Sequence, residues 1–390
     1  MPWKETDVMS LRTEFALRAL EGKLPFVVLC QEYGISPKTG YKWKERFLAE
    51  GIGGLSDRCR RPHSSPGQIG EDQACHLFGL KLAHMRWGPK KIRELYARQG
   101  HDLSLSTVKR ILDKAGLVEH RRRRRSRDCG RIENRITATE PNNLWTVDFK
   151  GWWYSTDKAR IEPLTVRDAY SRYILCTDIL PDGKSDTVRK RFMRLFELYG
   201  LPGAIRSDNG SPFACTRAPL GLSRLSAWWV TLGIDLDRNI PGHPQDNGAH
   251  ERMHRDIAWE VEGCVDGDTS ANQAALEIWR HQFNRERPHE AIGMRVPADL
   301  YVKSQRKFEA DSFDLSYPQD YLRRKVNANG GIRIMDTPIY ISAALGGWDV
   351  GLKTTPDGCY MVWFGPLCMG RINIETESFT VIPQNSQMNP

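Results

Sequence analysis

No apolar run in the chain approaches the roughly 20 residues that a membrane-crossing helix needs. Nothing at Met1-Pro2-Trp3-Lys4-Glu5 reads as a secretion signal, since the chain leads straight into an amphipathic pattern. The nine cysteines are scattered and form no Cys-x-x-Cys pair, so neither a disulfide framework nor a zinc site is expected. That usage fits a reducing cytoplasm. The first third is poor in acid: residues 1–140 hold 28 Lys and Arg against 17 Asp and Glu, whereas residues 141–390 hold 29 against 31. The net charge of +9 therefore originates in the N-terminal third. Such an asymmetry fits nucleic-acid-binding modules joined to a more neutral catalytic unit. A solvated basic face on an ordinary enzyme is the plainer alternative. At 390 residues, 40% hydrophobic and 27% charged, two or more globular units are expected.

Residues 1–51 read as a helix-turn-helix domain. Leu11 to Leu20 forms one amphipathic helix ending near Gly22, Phe26 to Tyr33 a second, and Gly34 the tight turn. Ser36-Pro37 then supplies an N-cap and a favoured first helical residue. Recognition helices read the major groove with their N-terminal residues, which singles out Lys38, Thr39, Tyr41, Lys42 and Lys44. A generic three-helix bundle with solvated lysines is the alternative. Residues 52–69 are a Pro/Gly/Ser linker made basic by Arg58, Arg60 and Arg61, read equally as a phosphate-tracking segment or a solvated tether. Residues 70–118 resemble a second helix-turn-helix. A helix near 71–83 precedes Trp87, Pro89 starts the next, and Ser106 is expected to cap a third with Lys109 and Arg110 outside and Gly116 at its end. Trp87 reads as core rather than as a base-stacking residue. In the linker 119–140, Arg121, Arg122, Arg123, Arg124 and Arg125 form a like-charge run expected to contact DNA as a hinge.

Three acidic residues carry the chemistry. Asp148 follows Leu144-Trp145-Thr146-Val147, Asp208 precedes Asn209-Gly210, and Glu251 follows Asn247-Gly248-Ala249-His250, at separations of 60 and 43 residues. The first lies in an alternating strand pattern, as do Ile161 to Val166 and Arg172 to Leu180. A helix capped by Ser185 and stopped by Gly200 leads to the short strand Ala204 to Ser207, which delivers Asp208. Glu251 opens a helix in which Met253, Ile257 and Val261 form an apolar row, leaving Glu251 and Arg255 on another face. Glu260 and Glu262 share that helix region but lack the setting of Glu251. Three converging carboxylates repel one another unless a cation joins them, and hard oxygen ligands suit Mg²⁺, with Mn²⁺ as substitute. Two such ions clamp a phosphodiester. An Asp at a strand end is more often a cap or surface charge, and Asp168 is read as a structural partner of Arg172.

The order of short motifs makes the resemblance specific. Trp145-Thr146-Val147-Asp148 is followed by Thr165-Val166-Arg167-Asp168-Ala169-Tyr170-Ser171-Arg172. Tyr199-Gly200-Leu201-Pro202 then precedes Ser207-Asp208-Asn209-Gly210. His243-Pro244-Gln245, Asn247-Gly248, Glu251-Arg252 and Phe283-Asn284…Arg287-Pro288-His289 complete the series. Residues 141–302 thereby resemble the RNase H-like catalytic core of DDE transposases and retroviral integrases, with bacterial insertion-sequence transposases the nearest likeness. The resemblance implies that Asp148, Asp208 and Glu251 are catalytic and metal-binding. It implies a water attack at an element end, then direct attack of the freed 3′-hydroxyl on target DNA. Partners implied are double-stranded DNA of terminal inverted repeats and target, and a second copy or more of the chain, in the bacterial cytoplasm. A metal-dependent nuclease without strand transfer, and a catalytically silent DNA-binding regulator, are the alternatives. Relatives often carry Lys or Arg seven residues after the Glu, where this chain has Ala258; Arg255 or His254 is the expected substitute for DNA contact.

Residues 318–382 change character. Strand-like runs at Ile332 to Ile334, Pro338 to Ile341, Trp348 to Val350, Tyr360 to Phe364, Arg371 to Ile374 and Phe379 to Ile382, with a hairpin signal at Asp357-Gly358, read as a small β domain. It resembles an SH3-like barrel. The expected fold class is thus multidomain α/β: helix-turn-helix modules, an RNase H-like mixed core and a C-terminal SH3-like β-barrel.

Overall fold

A computed structural model describes residues 7–59, 69–119, 136–239, 248–309 and 315–382. The chain divides into two compact units, Met1–Gly70 and Glu71–Pro390. In the first, helices α1 (Val8–Glu21), α2 (Phe26–Glu32) and α3 (Pro37–Glu50) enclose Phe15, Leu29, Cys30, Trp43 and Leu55. Gly34 makes the α2–α3 turn at φ +62°. Gly40 permits the close packing of α3, since a Cβ there would lie 2.5 Å from the Cys30 sulfur.

The second unit begins with α4 (Glu71–Ala83), α5 (Pro89–Arg98) and α6 (Leu105–Lys114), packed around Leu77, Trp87, Ile92, Tyr96, Val108 and Leu112. Trp87 is buried. The cap of α6 differs from the expectation. Ser104, not Ser106, accepts the Thr107 amide at 3.2 Å, because the capping hydroxyl must reach the amide three residues on.

The central sheet has the order β5-β4-β1-β6-β7. Its strands are β1 (Leu144–Phe149), β4 (Pro163–Asp168), β5 (Ile174–Ile179), β6 (Ala204–Ser207) and β7 (Asp235–Arg238). The short hairpin β2 (Trp153–Tyr154) and β3 (Arg160–Ile161) pairs separately. β1 runs antiparallel to β4 and parallel to β6, and β6 is parallel to β7. Helix α7 (Ser185–Tyr199) buries Val188, Phe192, Leu195 and Phe196, and α8 (Arg224–Thr231) adds Trp228 and Trp229 to the same core. Ser185 is the first residue of α7 rather than its cap; Lys184 holds the cap position and no side chain caps that end. Helices α9 (Gly248–Glu260) and α10 (Thr269–Arg285) bury Met253, Ile257, Leu276, Trp279 and Phe283 together with Val261, just past α9.

Edge strand β5 is closed by side chains of α10. The Asn284 amide accepts the Ile174 N–H at 2.8 Å and donates to the Ile174 carbonyl at 2.9 Å. Gln273 accepts the Ile179 N–H at 2.8 Å and donates to the Thr177 carbonyl at 3.3 Å. Two carboxamides thus stand where a sixth strand would hydrogen-bond.

The C-terminal region departs from the expected barrel. β8 (Leu322–Lys325), β11 (Asp349–Thr354), β12 (Tyr360–Phe364), β13 (Leu367–Asn373) and β14 (Ser378–Val381) form an open sheet in the order β14-β13-β12-β11-β8. Among the described residues, β9 (Gly331–Ile334) and β10 (Thr337–Tyr340) pair with each other as a separate two-stranded ribbon. No ladder joins β14 to β8 among the described residues. Arg323, Arg324 and Lys325 make β8 a charged edge, which discourages further pairing. The sheet is instead covered by its own ribbon and by α8, whose Ala227 and Val230 join Val350, Leu352, Val362 and Phe364 in one apolar cluster.

Candidate active site

The β1–β6 pairing brings the two aspartates together. Trp145 stands opposite Ile205 and Thr146 opposite Arg206. Extending this register along both chains sets Asp148 beside Asp208, at the carboxyl edge of neighbouring parallel strands. Burial, reinforced by the charges of Asp208 and Glu251, raises the Asp148 pKa to about 7. The Asp208 Oδ1 is buried and has no hydrogen-bond partner among the described residues. Gly210 leaves room for this carboxylate: a Cβ there would lie 2.9 Å from Asp208 Oδ2. Arg238, at the end of β7, donates to the Phe213 carbonyl at 2.8 Å and the Ser207 hydroxyl at 3.1 Å. Its charge also acts on Asp208.

Glu251 is exposed in the first turn of α9. The other acids near this helix are engaged elsewhere. Glu260 accepts from Arg287 at 3.0 Å and from the Trp279 indole at 2.7 Å, and Glu262 pairs with Lys150. Asp256 pairs with Arg287 at 2.8 Å. Of the α9 carboxylates, Glu251 is the one whose charge reaches Asp148. Among the described residues, no three His, Cys, Asp or Glu side chains form a closed group able to hold a metal ion.

Helix α9 is fastened to the sheet by a polar cluster absent from the sequence expectation. The Thr165 hydroxyl donates to the Asp148 carbonyl at 2.8 Å. Its oxygen lies 2.7 Å from both His250 Nε2 and His254 Nε2. Thr146 Oγ1 lies 2.9 Å from His250 Nδ1. One proton assignment satisfies these contacts. Both imidazoles donate from Nε2 to the two lone pairs of Thr165, and Thr146 donates to His250 Nδ1. Burial and neighbouring cations hold both rings neutral, with the His254 pKa lowered to about 3 and that of His250 well below its ordinary value. His254 is therefore corrected from a phosphate-contacting cation to a neutral donor packed against β4. Arg255 remains exposed, its guanidinium 5.8 Å from the Trp259 ring, and Ala258 is half-buried. The i, i+4 repeat of His250 and His254 beside Glu251 was a visible signal, but only burial decides their charge.

Asp168 is structural, as expected, but its partners are corrected. Its carboxylate accepts from the Asn142 N–H at 2.8 Å, the Ser171 N–H at 2.7 Å and the Ser171 hydroxyl at 2.5 Å. Arg172 takes a left-handed backbone, φ +67°, that carries it through this turn, and only its N–H reaches Asp168, at the backbone carbonyl.

The remaining DNA-contact candidates fall into four groups. On α3, Lys38, Tyr41 and Lys42 are exposed and Lys44 is half-buried, with Lys42 lying 4.1 Å from the Trp43 ring and Tyr41 stacked on Phe26. Thr39 closes the N-cap with Ser36. Lys109 and Arg110 are exposed on α6. Arg58 pairs with Glu50. Arg60, Arg61 and Arg121 to Arg125 lie outside the described residues.

Comparison with known proteins agrees with this layout. An integrase core domain family matches residues 138–244, and a second integrase core family matches residues 232–297. A helix-turn-helix domain matches residues 11–63 and a homeodomain-like domain residues 39–112. The chain is 27% identical over 260 residues to the insertion element IS407 uncharacterized 31.7 kDa protein of Burkholderia multivorans, covering 66% of this chain and 90% of that protein. It is also 27% identical over 267 residues to the insertion element IS476 uncharacterized 39.2 kDa protein of Xanthomonas euvesicatoria, covering 67% of this chain and 73% of that one. Among solved structures, the catalytic core domain of BIV integrase is similar at a TM-score of 0.31 and 23% identity, over 41% of this chain and 93% of that domain. No helix of the described residues is long and apolar enough to cross a membrane. By these matches the chain resembles proteins of bacterial insertion elements, with integrase core domains over residues 138–297 behind helix-turn-helix and homeodomain-like domains over residues 11–112.

Proposed function

We propose that the protein is a DNA transposase that cleaves phosphodiesters at element ends and joins the freed 3′-hydroxyl to target DNA, using Asp148, Asp208 and Glu251. The observation that carries this reading is the placement of Asp148 on β1 and of Asp208 just past the end of the adjacent parallel β6, with the charges of Asp208 and Glu251 felt at Asp148. The two aspartates fit a divalent cation, and Glu251 would complete the set by moving toward them. Asp148 ionises reluctantly beside its neighbours, and Asp208 keeps a buried oxygen without a donor. Asp148, Asp208 and Glu251 would hold Mg²⁺ or Mn²⁺, which supplies an activated oxygen nucleophile and neutralises the leaving oxygen when bound. The protein itself orients this site. β1–β6 pairing fixes the aspartates, Arg238 holds the turn after β6, and the His250–Thr165–His254 cluster sets the rotation of α9 and so the direction of Glu251. Holding two element ends at once requires at least two copies of the chain on double-stranded DNA.

The test is incubation of the purified full chain with DNA carrying its inverted repeats and Mg²⁺, with mapping of nicks and joined strands. Nicked and joined products are expected. Nicks without joining would leave a nuclease; binding with neither would leave a regulator.

A further inference from the structure

The Arg287-Pro288-His289 motif is only partly absorbed by the active site. Arg287 serves α9, but His289 faces a separate cleft of about 460 Å³ between α5, α9 and the end of β4. Four cations line this cleft: Lys91 from α5, Arg167 and Arg172 around the β4–β5 turn, and Arg252 next to Glu251. Among the described residues, no carboxylate pairs with any of the four; Arg167 donates only to the Ala249 carbonyl, at 2.9 Å. The acids that share the cleft are already neutralised, Asp256 by Arg287 and Glu290 by Lys90. Two polar atoms in the cleft wall have no partner among the described residues: Arg167 Nε and His289 Nε2, on residues 4% and 8% exposed. Buried polar groups are rarely left unpaired without a function.

We propose that this cleft binds a phosphate group of the DNA backbone, bridging the second helical module to the helix that carries Glu251. The proposal rests on the transposase reading for the identity of its ligand. The electrostatics of the cleft agree with it. Burial, with Arg287 and Arg252 adding like charge, lowers the Lys91 pKa to about 7. Burial and then Lys91, Arg287 and Arg172 lower that of His289 to about 2. In both, burial is the larger cause and neighbouring cations add to it. A phosphodiester oxygen supplies a counter-charge. It gives Lys91, Arg172 and Arg252 an acceptor and lets His289 take up a solvent proton and donate from Nε2. The arrangement also has a mechanical meaning. Arg252 is covalently next to Glu251, so a phosphate held there fixes the acid at the moment DNA engages α5.

The experiment measures binding of a fluorescent random-sequence DNA duplex to the full-length chain over a salt series, in the absence of divalent metal. Wild type is compared with Lys91→Gln, Arg252→Gln and the double variant, with circular dichroism confirming that each folds. Arg252 is exposed, so its substitution leaves the packing intact. Each single change should weaken binding severalfold, with the double variant lowering the slope of log affinity against log salt by roughly one unit. An unchanged slope in the folded double variant would overturn the proposal. If inorganic phosphate raised the melting temperature of wild type but not of the double variant while the DNA slope stayed unchanged, the ligand would be free phosphate, and the DNA assignment would fall. Asp148→Asn serves as the separating control. It should lose metal-dependent nicking and keep the wild-type slope. If wild type itself never nicks element-end DNA but the cleft variants still lose slope, the catalytic reading fails and the cleft stands.

Discussion

Asp148 and Asp208 are set by backbone pairing in a sheet, whereas Glu251 is set by side chains that fasten a helix to that sheet. The first arrangement is stiff. Register in a buried parallel pair is fixed along the whole strand, because a one-residue slip would turn every side chain to the opposite face. The second is adjustable. Glu251 is exposed, and its helix is oriented by His250, His254, Arg167 and the Arg287 pairs. A site built from one rigid and one adjustable half can hold its aspartates ready and bring the glutamate to them when DNA binds.

The largest effect should come from the rigid half. Asp148→Asn or Asp208→Asn changes little volume but removes a ligand charge, so cleavage should fall below detection while binding of element ends stays nearly intact. Glu251→Gln should also abolish cleavage. Measurable nicking by Glu251→Gln alone would mark the helix half as dispensable and break the comparison. Next in size is the loss of Arg287. Its guanidinium is buried between Asp256 and Glu260, so Arg287→Ala leaves two uncompensated carboxylates and should cost about 3–5 kcal/mol in chemical denaturation. An effect below about 1 kcal/mol would mean that α9 is not anchored there. His250→Ala removes the Thr146 hydroxyl's imidazole partner and one of the two imidazoles on Thr165, and should cost about 1–3 kcal/mol, with slower cleavage but intact end binding.

A pH titration of metal-free protein separates the halves by sign. The His254 pKa falls from about 6.5 unfolded to about 3 folded, so the unfolded state binds more protons. The stability contributed by this neutral ring is therefore present above pH 6.5 and lost as pH falls toward 3. The Asp148 pKa rises from 3.8 to about 7, so the folded state binds more protons and stability is lost as pH rises through that window. Over the same span, pH 3 to 7, the two contributions oppose each other: His254→Gln should remove a rise of melting temperature with pH, and Asp148→Asn should remove a fall. A change of the same sign in both variants would show that the two halves titrate as one.

The smallest effect concerns the exposed face of α9. Arg255→Ala should lower strand joining severalfold, and Ala258→Lys should preserve or raise it while steepening the salt dependence of DNA binding by roughly one unit. Helical propensity changes little between Ala and Lys. A wild-type joining rate for Arg255→Ala, together with misfolding of Ala258→Lys, would show that this face is packed within the protein.

What the sequence made legible was local or periodic. The alternation of Leu144 to Phe149, the row Met253, Ile257 and Val261, and the turn at Asn209-Gly210 each depend on neighbours a few residues away. Ser106, one residue before Thr107, was expected as the cap, whereas the bonded cap is Ser104, three residues before it. Barrel closure was not legible, because it depends on whether the first and last strands meet. The charge of His254 was hidden for the same reason: its partner Thr165 lies 89 residues away. The integrase-like motifs located the acids, while the means of holding Glu251 in place rested on long-range contacts that no motif records.

The carboxamides of Asn284 and Gln273 have a further consequence, for how copies of this chain can associate. An unpaired sheet edge invites another chain to add a strand, which leads to open-ended stacking. On β5 that invitation is withdrawn, because the hydrogen-bonding groups of Ile174, Thr177 and Ile179 are already occupied. The opposite edge, β7, is short and carries Asp235, Asp237 and Arg238. If two or more copies hold the element ends as proposed, they thus have little means of polymerising through the central sheet, and contacts between copies fall to helices and loops.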